Sequence, residues 1–554
     1  MEQARFTRLP AAALVYFASS LPLLATELPD AGQSLESLRR TPALPAKPAA
    51  ILPEESPVRP SIKLPPGITV SVQSFHITGA QAFTTAELLG LIEDAAGKDL
   101  TLADIQGLAN RITKHYRDHG YLLAKAYIPV QEIRDGLVEI TVLEGRLGKV
   151  SVDNRSMLSN TFVEVRLANF RAGDTVDSAH LEQNLLLLND LAGVEVKSTL
   201  KPGASVGTTD LDIRLEGERR LTGAIDLNNY GNRYTGDVRG GLTLNVNNPA
   251  GRGDTLALRG VSSGSGLNYG RLAYQLPLGT QGTQLGAAYS DMRYRLGKVF
   301  TSLQANGKAE IGSLYLLHPF LRSRLSNVNG QLAFERKHLE DRVDASATVT
   351  DKTLDIMTIG LSGDSLDVTR GGLTSWSANL VNGTLDLDPA SRALDAAGHR
   401  TQDGYTKLGY QLARLQRLTE RINLYGLFSG QRARKNLDSS EKFSLGGPYA
   451  VRAYPQGESP CDDAWLASLE LRYTPAPAWQ LTLFADGGAG HLHHSPLSSD
   501  ANNSRALSGA GVGFAWSHAA RIGVSGFLAW RTDAAPTSDT DRTPRVWVQG
   551  VKYF

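Results

Sequence analysis

The second half of the chain alternates apolar and polar residues. In "GLTLNVNNP", residues 241–249, Leu242, Leu244 and Val246 take one face of an extended segment, and Thr243, Asn245 and Asn247 take the other. From residue 218 onward, segments of roughly 9 to 11 residues repeat this pattern between clusters of Gly, Asn, Asp and Ser. Strands with one apolar and one polar face suit a wall between lipid and a wet lumen, and only helices and closed barrels satisfy every backbone group in lipid. At about 20 residues per strand with its turns, residues 218–554 predict a transmembrane antiparallel β-barrel of about 16 strands. The last segment, "RVWVQGVKYF", places Val546, Val548, Gly550 and Phe554 on one face, which Lys552 interrupts. A soluble propeller or β-helix would show a fixed repeat period, and the sequence has none.

Upstream the period changes. Val70, Val72 and Phe75 mark a strand, "TTAE" at 84–87 caps a helix, and Thr101 with Asp104 opens a second one. In that helix Ile105, Leu108, Ile112 and Tyr116 form a single apolar stripe. Two strands follow, "YLLAKAYIPV" at 121–130 and "GLVEITVLEG" at 136–145, where Val138, Ile140 and Val142 alternate with Leu137, Glu139 and Thr141. This β-α-α-β-β plan occupies residues 68–146 and is repeated more loosely over 147–217.

Residues 41–67 carry too many prolines for a helix or a central strand and read as an extended linker. Before them, "LPDAGQSLESLRR" within residues 26–40 reads as a short helix with Leu35 and Leu38 on one side. Residues 1–25 form a secretory signal: Arg5 and Arg8 precede an apolar run that ends at Ala25. The mature chain therefore works outside the cytoplasm.

Charge and chemistry narrow the function. Lys plus Arg total 57 against 56 Asp plus Glu, a net charge of +1, which argues against nucleic acid as a partner. The single cysteine, Cys461, excludes an intramolecular disulfide, and its neighbours Asp462 and Asp463 discourage a thiolate. Phosphate-loop and nucleophile-elbow motifs are absent, so neither an enzyme nor a cofactor is expected. "HLHH" at 491–494 offers metal-ligand chemistry but reads as a solvated turn, so no metal is expected.

Four segments then carry a resemblance, and they occur in the family's order. "GYLLAKAYIPVQEIRDGLVEITVLEG", 120–145, resembles the polypeptide-transport-associated (POTRA) domain of outer-membrane two-partner secretion transporters, the TpsB type. "NYGNRYTGDVRGGLTLNVNNPAGRGDTLALRG", 229–260, resembles the first barrel strands of that family. "LGGPYAVRAYPQGE", 445–458, resembles its inward-folded loop with the motif Val451, Arg452, Ala453, Tyr454, where Ala453 replaces the usual glycine. "FADGG", 484–488, matches the companion strand motif Phe484, Asp486, Gly488.

The resemblance implies a monomeric outer-membrane pore with two periplasmic POTRA domains that exports one large secreted partner protein, such as an adhesin, haemolysin or contact-dependent toxin. It also implies that the N-terminal helix plugs the pore at rest. POTRA strand edges and grooves around Tyr121, Tyr127, Val138 and Ile140 are expected to receive the partner. An outer-membrane protein insertase and a passive porin are the alternatives.

The lumen pairing follows from parity. In "WQLTLFADGG", Trp479, Leu481, Leu483 and Ala485 face lipid, which turns Phe484 and Asp486 inward. A carboxylate in a narrow, partly dehydrated barrel calls for a cation, and the planar arginine fork suits it best, so Arg452 is expected to bond Asp486. On that reading, reversing both charges restores function. Ala453 fits the loop only if its φ is negative.

Overall fold

The computed structural model describes residues 28–38, 54–55 and 69–554, except 122, 169, 175–177, 206, 501 and 519. The signal segment and most of the linker lie outside the described residues.

Sixteen antiparallel strands close into a barrel, from Leu221–Asn228 to Arg545–Tyr553, which pair with each other through Ala224↔Tyr553 to Asn228↔Gln549. Closure leaves no open edge, so each strand's backbone groups are used within the wall. Leu242, Leu258, Leu272, Phe334, Ile359, Leu483 and Val548 are exposed, whereas inward positions such as Thr482 and Asp486 are buried. Lys552, which interrupts the outer face of the last strand, sits at its end and donates from Nζ to the Ala520 carbonyl. It lies at the rim, so its charge does not face the middle of the bilayer.

Two α/β units precede the barrel. In the first, strand Leu137–Leu143 lies between Ser74–Thr78 and Lys125–Tyr127, and helix Leu102–Asp118 packs against this sheet. Thr101 and Asp104 form a reciprocal capping box, and Ile105, Leu108, Ile112 and Tyr116 are all buried. The strand expected over 121–130 shortens to Lys125–Tyr127. Tyr121 turns instead toward the rings of Phe83 and Tyr116, 5.7 and 5.6 Å away, and Pro129 has no N–H to continue the ladder.

Val138 and Ile140 have no solvent exposure and belong to the core of this unit. Alternation on the middle strand of a sheet packed against a helix turns them inward, so they cannot touch a partner as expected. Tyr121 and Tyr127 are half-buried, and Tyr127 lies on an edge strand.

The second unit has the sheet order Glu54–Glu55, Val194–Pro202, Thr208–Gly217, Arg146–Arg155. The proline-rich linker thus contributes a two-residue edge strand, paired in parallel with Thr199 and Leu200. This unit docks on the barrel's near turns: Ser159 N donates to Gly251 O at 2.9 Å, and Arg322 forks onto both oxygens of Asp190 at 2.7 Å.

The N-terminal helix spans only Ala31–Glu36 and lies inside the barrel, against strands Ala305–Arg322 and Ser326–Val343 and the 439–441 turn. Asp30 caps it by accepting from Gln33 N at 2.9 Å. Ala31 N donates to Asp341 at 2.8 Å, Lys352 Nζ lies 3.3 Å from Asp30, and Arg239 donates to Ser37 O at 2.9 Å. Leu28, Leu35 and Leu38 pack on an apolar patch of the wall that includes Tyr294, Leu354 and Leu385.

Candidate functional site

Between strands Ile422–Ala433 and Asp463–Ala476 the chain folds into the lumen as a long loop, 434–462. The loop crosses back on itself, with Val451 N donating to Leu445 O at 2.9 Å and Gly446 N to Glu458 O at 3.1 Å. Glu458 is wholly buried and receives Thr537 N and Ser538 N, both at 2.9 Å, and Arg505 at 3.1 Å. Val451, Ala453 and Tyr454 are buried in a cluster with Leu445, Leu466, Phe484 and Leu507. Tyr454 also donates to Ala534 O at 2.8 Å. A loop this tightly packed and bonded presents its arginine at a fixed place.

Arg452 meets Asp486 through two parallel bonds, Nε to Oδ2 at 2.8 Å and Nη2 to Oδ1 at 2.7 Å. The main-chain N of Arg452 also donates to Oδ2, at 3.1 Å. Nη1 reaches Glu470 at 2.7 Å, and Ser468 bridges Nη2 and Asp486. The guanidinium carbon lies 3.6 Å from the Phe484 ring centroid and 5.0 Å from that of Phe527. Trp547 Nε1 holds the Arg452 carbonyl at 2.7 Å. Four guanidinium N–H groups thus have partners in a buried site, where charge-assisted bonds and ring contacts are strongest.

Glu470 was not foreseen from the sequence. It has its own second cation, Arg472, at 2.7 Å, so the wall carries the alternating chain Asp486, Arg452, Glu470, Arg472. The charges sum to zero, which is how four ionised groups can share a poorly hydrated wall. The parity of "LASLELRY" turns Glu470 inward, yet only the register, Glu470 opposite Phe484 and Ser468 opposite Asp486, brings it to the arginine. Glu470 also alters the expectation for charge reversal, because an aspartate at 452 would face a glutamate.

Two glycines make room for the loop. A Cβ at Gly488 would lie 2.8 Å from Trp465 O and 3.1 Å from Leu445 Cδ2, and one at Gly509 would lie 2.5 Å from the Ala453 methyl. Ala453 itself keeps a negative φ. The methyl that replaces the motif glycine is thus accommodated by a glycine in the adjacent wall, paired with Asp486. Gly488→Val should displace the loop stem and lower secretion while the barrel still assembles, as shown by its heat-modifiable gel migration; unchanged secretion would mean that the stem has room to spare.

The far mouth holds the "HLHH" segment, which is not a solvated turn. His494 Nδ1 is 2.7 Å from Asp463, and His493 lies half-buried, stacked on His399 with ring centroids 3.6 Å apart. Burial and the Lys442 ammonium push the His493 pKa down to about 4. Cys461 is buried, with its thiol toward Ser459 O at 3.3 Å.

Residues 207–516 match the family "Haemolysin secretion/activation protein ShlB/FhaC/HecB", and residues 70–145 match the ShlB-type POTRA domain. The heme/hemopexin transporter protein HuxB of Haemophilus influenzae (strain 86-028NP) is 30% identical over 570 residues, covering 99% of both chains. The outer membrane transporter CdiB of Dickeya dadantii is 23% identical over 430 residues, 74% of each chain. The solved CdiB from Escherichia coli shares the fold, with a TM-score of 0.70 at 19% identity over 95% of this chain and 96% of that one. The chain belongs to the ShlB/FhaC/HecB family of haemolysin secretion/activation proteins and is an outer-membrane transporter of the two-partner secretion type.

Proposed function

We propose that the barrel exports one large secreted protein, received in the periplasm by the two α/β units and released at the cell surface without ATP. The observation that supports this reading is the docking of the second unit directly on the barrel's periplasmic turns, through Asp190 with Arg322 and Glu182 with Arg324. A segment held by these units is delivered to the pore rather than to bulk periplasm. Edge strands Ser74–Thr78 and Lys125–Tyr127 of the first unit and Arg146–Arg155 of the second offer unpaired backbone groups to an extended segment, which is strand addition. Folding of the partner outside makes its return unfavourable and gives the transport a direction.

At rest, the helix Ala31–Glu36 and the loop carrying Arg452 occupy the lumen, and we assign the helix the role of a plug. A permanently open porin has no use for either. The barrel closes within one chain, so a monomer suffices, with its apolar outer face in lipid. HuxB matches end to end whereas the Dickeya CdiB match spans 74%, which favours a partner of the haem or haemopexin-binding kind over a contact-dependent toxin. Removing residues 69–217 should abolish secretion of the co-expressed partner and leave a barrel that conducts ions in planar bilayers. Secretion that persists would return the chain to the porin reading.

A further inference from the structure

The outer mouth contains a cluster that secretion does not use. Loop 388–402 joins strands Gly372–Leu387 and Asp403–Arg417, and loop 492–503 joins Trp479–His491 and Ser504–His518. These hairpins are not neighbours in the wall: strands Ile422–Ala433 and Asp463–Ala476 stand between them, and the inward loop 434–462 descends from that gap. Above it the two surface loops meet, and His399, His493 and Asp500 each offer a ligand atom, all within 4.8 Å of one another.

We propose that His399, His493 and Asp500 bind a divalent transition-metal ion of the zinc class, which clasps the two surface loops over the place where the inward loop enters the lumen. Two imidazoles, one carboxylate and an open position for water match the donor set of a tetrahedral zinc site with three protein ligands. Zinc bonds of about 2.0 to 2.2 Å require ligand atoms about 3.3 Å apart. His399 Nε2 and Asp500 Oδ2 already stand at 3.0 Å, and the His493 ring lies nearly parallel to that of His399, at 12°. The two rings are stacked 3.6 Å apart, so they must turn out of parallel for both in-plane lone pairs to point at one ion.

The nitrogen available on each ring can be assigned. Lys442 Nζ lies 3.3 Å from His493 Nδ1, so for Nε2 to ligate, the ring proton must move to Nδ1 and Lys442 must give up this contact, keeping its bond to Leu492 O and its pairing with Asp462. The ammonium of Lys442 is itself matched by Asp462 at 3.3 Å, so it does not stand as an uncompensated cation beside the ion. In His399, Nε2 faces Asp500 at 3.0 Å, and the metal takes the place between them once the ring proton has moved to Nδ1, so the imidazole binds as the neutral tautomer.

The chain segments that carry the ligands are held in place by side-chain bonds to their backbone. His493 is bracketed by Asn503, whose Oδ1 accepts from His493 N and whose Nδ2 donates to His493 O, both at 2.8 Å. Leu497 N donates to Asp500 Oδ2 at 2.8 Å. Asn436, at the top of the inward loop, donates to His399 O at 2.7 Å and to Ser495 O at 2.9 Å, so all three segments are already stitched together there.

A second group, His338, Glu340 and Asp351, has the same ligand chemistry, but Glu340 is engaged by both Arg342 and Lys308. Cations beside a ligand weaken its hold on another cation. The first cluster has Lys442 beside it, but that ammonium contacts an imidazole and is paired with Asp462, whereas two cations hold the ligand carboxylate itself in the second, so the first is assigned.

The test uses the detergent-solubilised full chain, purified without a histidine tag and stripped with a chelator, and titrates zinc against a chromophoric competitor. One zinc ion per chain is expected, with affinity lowered about tenfold or more by His399→Ala, His493→Ala or Asp500→Asn. His494→Ala, whose imidazole faces Asp463, should bind as the unaltered protein does. Heat-modifiable migration on gels verifies that each variant is a folded barrel. The assignment is overturned if the folded parent takes up no zinc, or if the His399→Ala/His493→Ala double variant binds zinc as tightly as the parent, which would place the ion at His338, Glu340 and Asp351 or elsewhere.

Discussion

Arg452→Ala should reduce secretion of the partner by about tenfold or more and should be the most damaging single substitution in the lumen loop. The side chains of Arg452 and Asp486 are 5% and 1% exposed, so truncating the arginine strands a dehydrated carboxylate with no cation and only Ser468 and the main-chain N of residue 452 to bond it. Breaking a buried pair in this way costs about 3–5 kcal/mol, far more than a surface ion pair contributes. The loop should leave its seat. Asp486→Ala should be milder, because Glu470 remains 2.7 Å from the guanidinium. Arg452→Lys keeps the charge but loses the fork and the fit over Phe484, and should fall between the parent and alanine.

Double reversal, Arg452→Asp with Asp486→Arg, should fail, because it sets one carboxylate against Glu470. Adding Glu470→Gln should recover part of the loss. The measurement is the amount of partner in the medium, normalised to folded barrel in the outer membrane. Secretion by Arg452→Ala at the parent's level would show that the pairing of Arg452 with Asp486 has no part in transport.

The second large effect concerns the plug. Deleting residues 31–36 should raise single-channel conductance in planar bilayers several-fold, because the helix fills lumen space against strands Ala305–Arg322 and Ser326–Val343 and the 439–441 turn. Lys352→Met should raise it with the helix still present. Lys352 is 6% exposed and lies 2.8 Å from Asp438 and 3.3 Å from Asp30, with Asp341 close enough to bond Ala31 N. Without the lysine, three carboxylates share one pocket, and Asp30 is the one free to leave, taking the helix with it. Like-charge expulsion weakens as salt rises, so the gain from Lys352→Met should shrink at high ionic strength while that of the deletion persists. Equal conductance in all three proteins would remove the helix as a barrier to ions.

Parity explains what could be read in advance. Within one strand alternate positions face lipid and lumen, so the apolar set of "WQLTLFADGG" turned Asp486 inward, and one inward arginine on a glycine-rich loop was its natural partner. Glu470 obeyed the same parity, but its distance to Arg452 depends on the offset between two strands, which a single strand's pattern does not contain. Val138 and Ile140 failed for a related reason: alternation shows that they share a face with Val142, but the packing of helix Leu102–Asp118 decides that this face is covered. His399 carried no local signal, since its metal-ligand neighbours come from a loop beyond two intervening strands. The helix Ala31–Glu36 was legible as a helix, but its place in the lumen rests on Asp30, Ala31 and Ser37 meeting residues hundreds of positions away.

The alternating charge chain has a consequence for the pore once the loop has moved. Asp486, Glu470 and Arg472 belong to the wall, whereas Arg452 travels with the loop. While the loop is seated this part of the lumen is neutral; when it withdraws, the wall keeps two carboxylates and one guanidinium. The opened channel therefore acquires a net negative stretch and with it a preference for cations over anions, including basic stretches of a passing polypeptide. Ionic selectivity would in this way report the position of the loop.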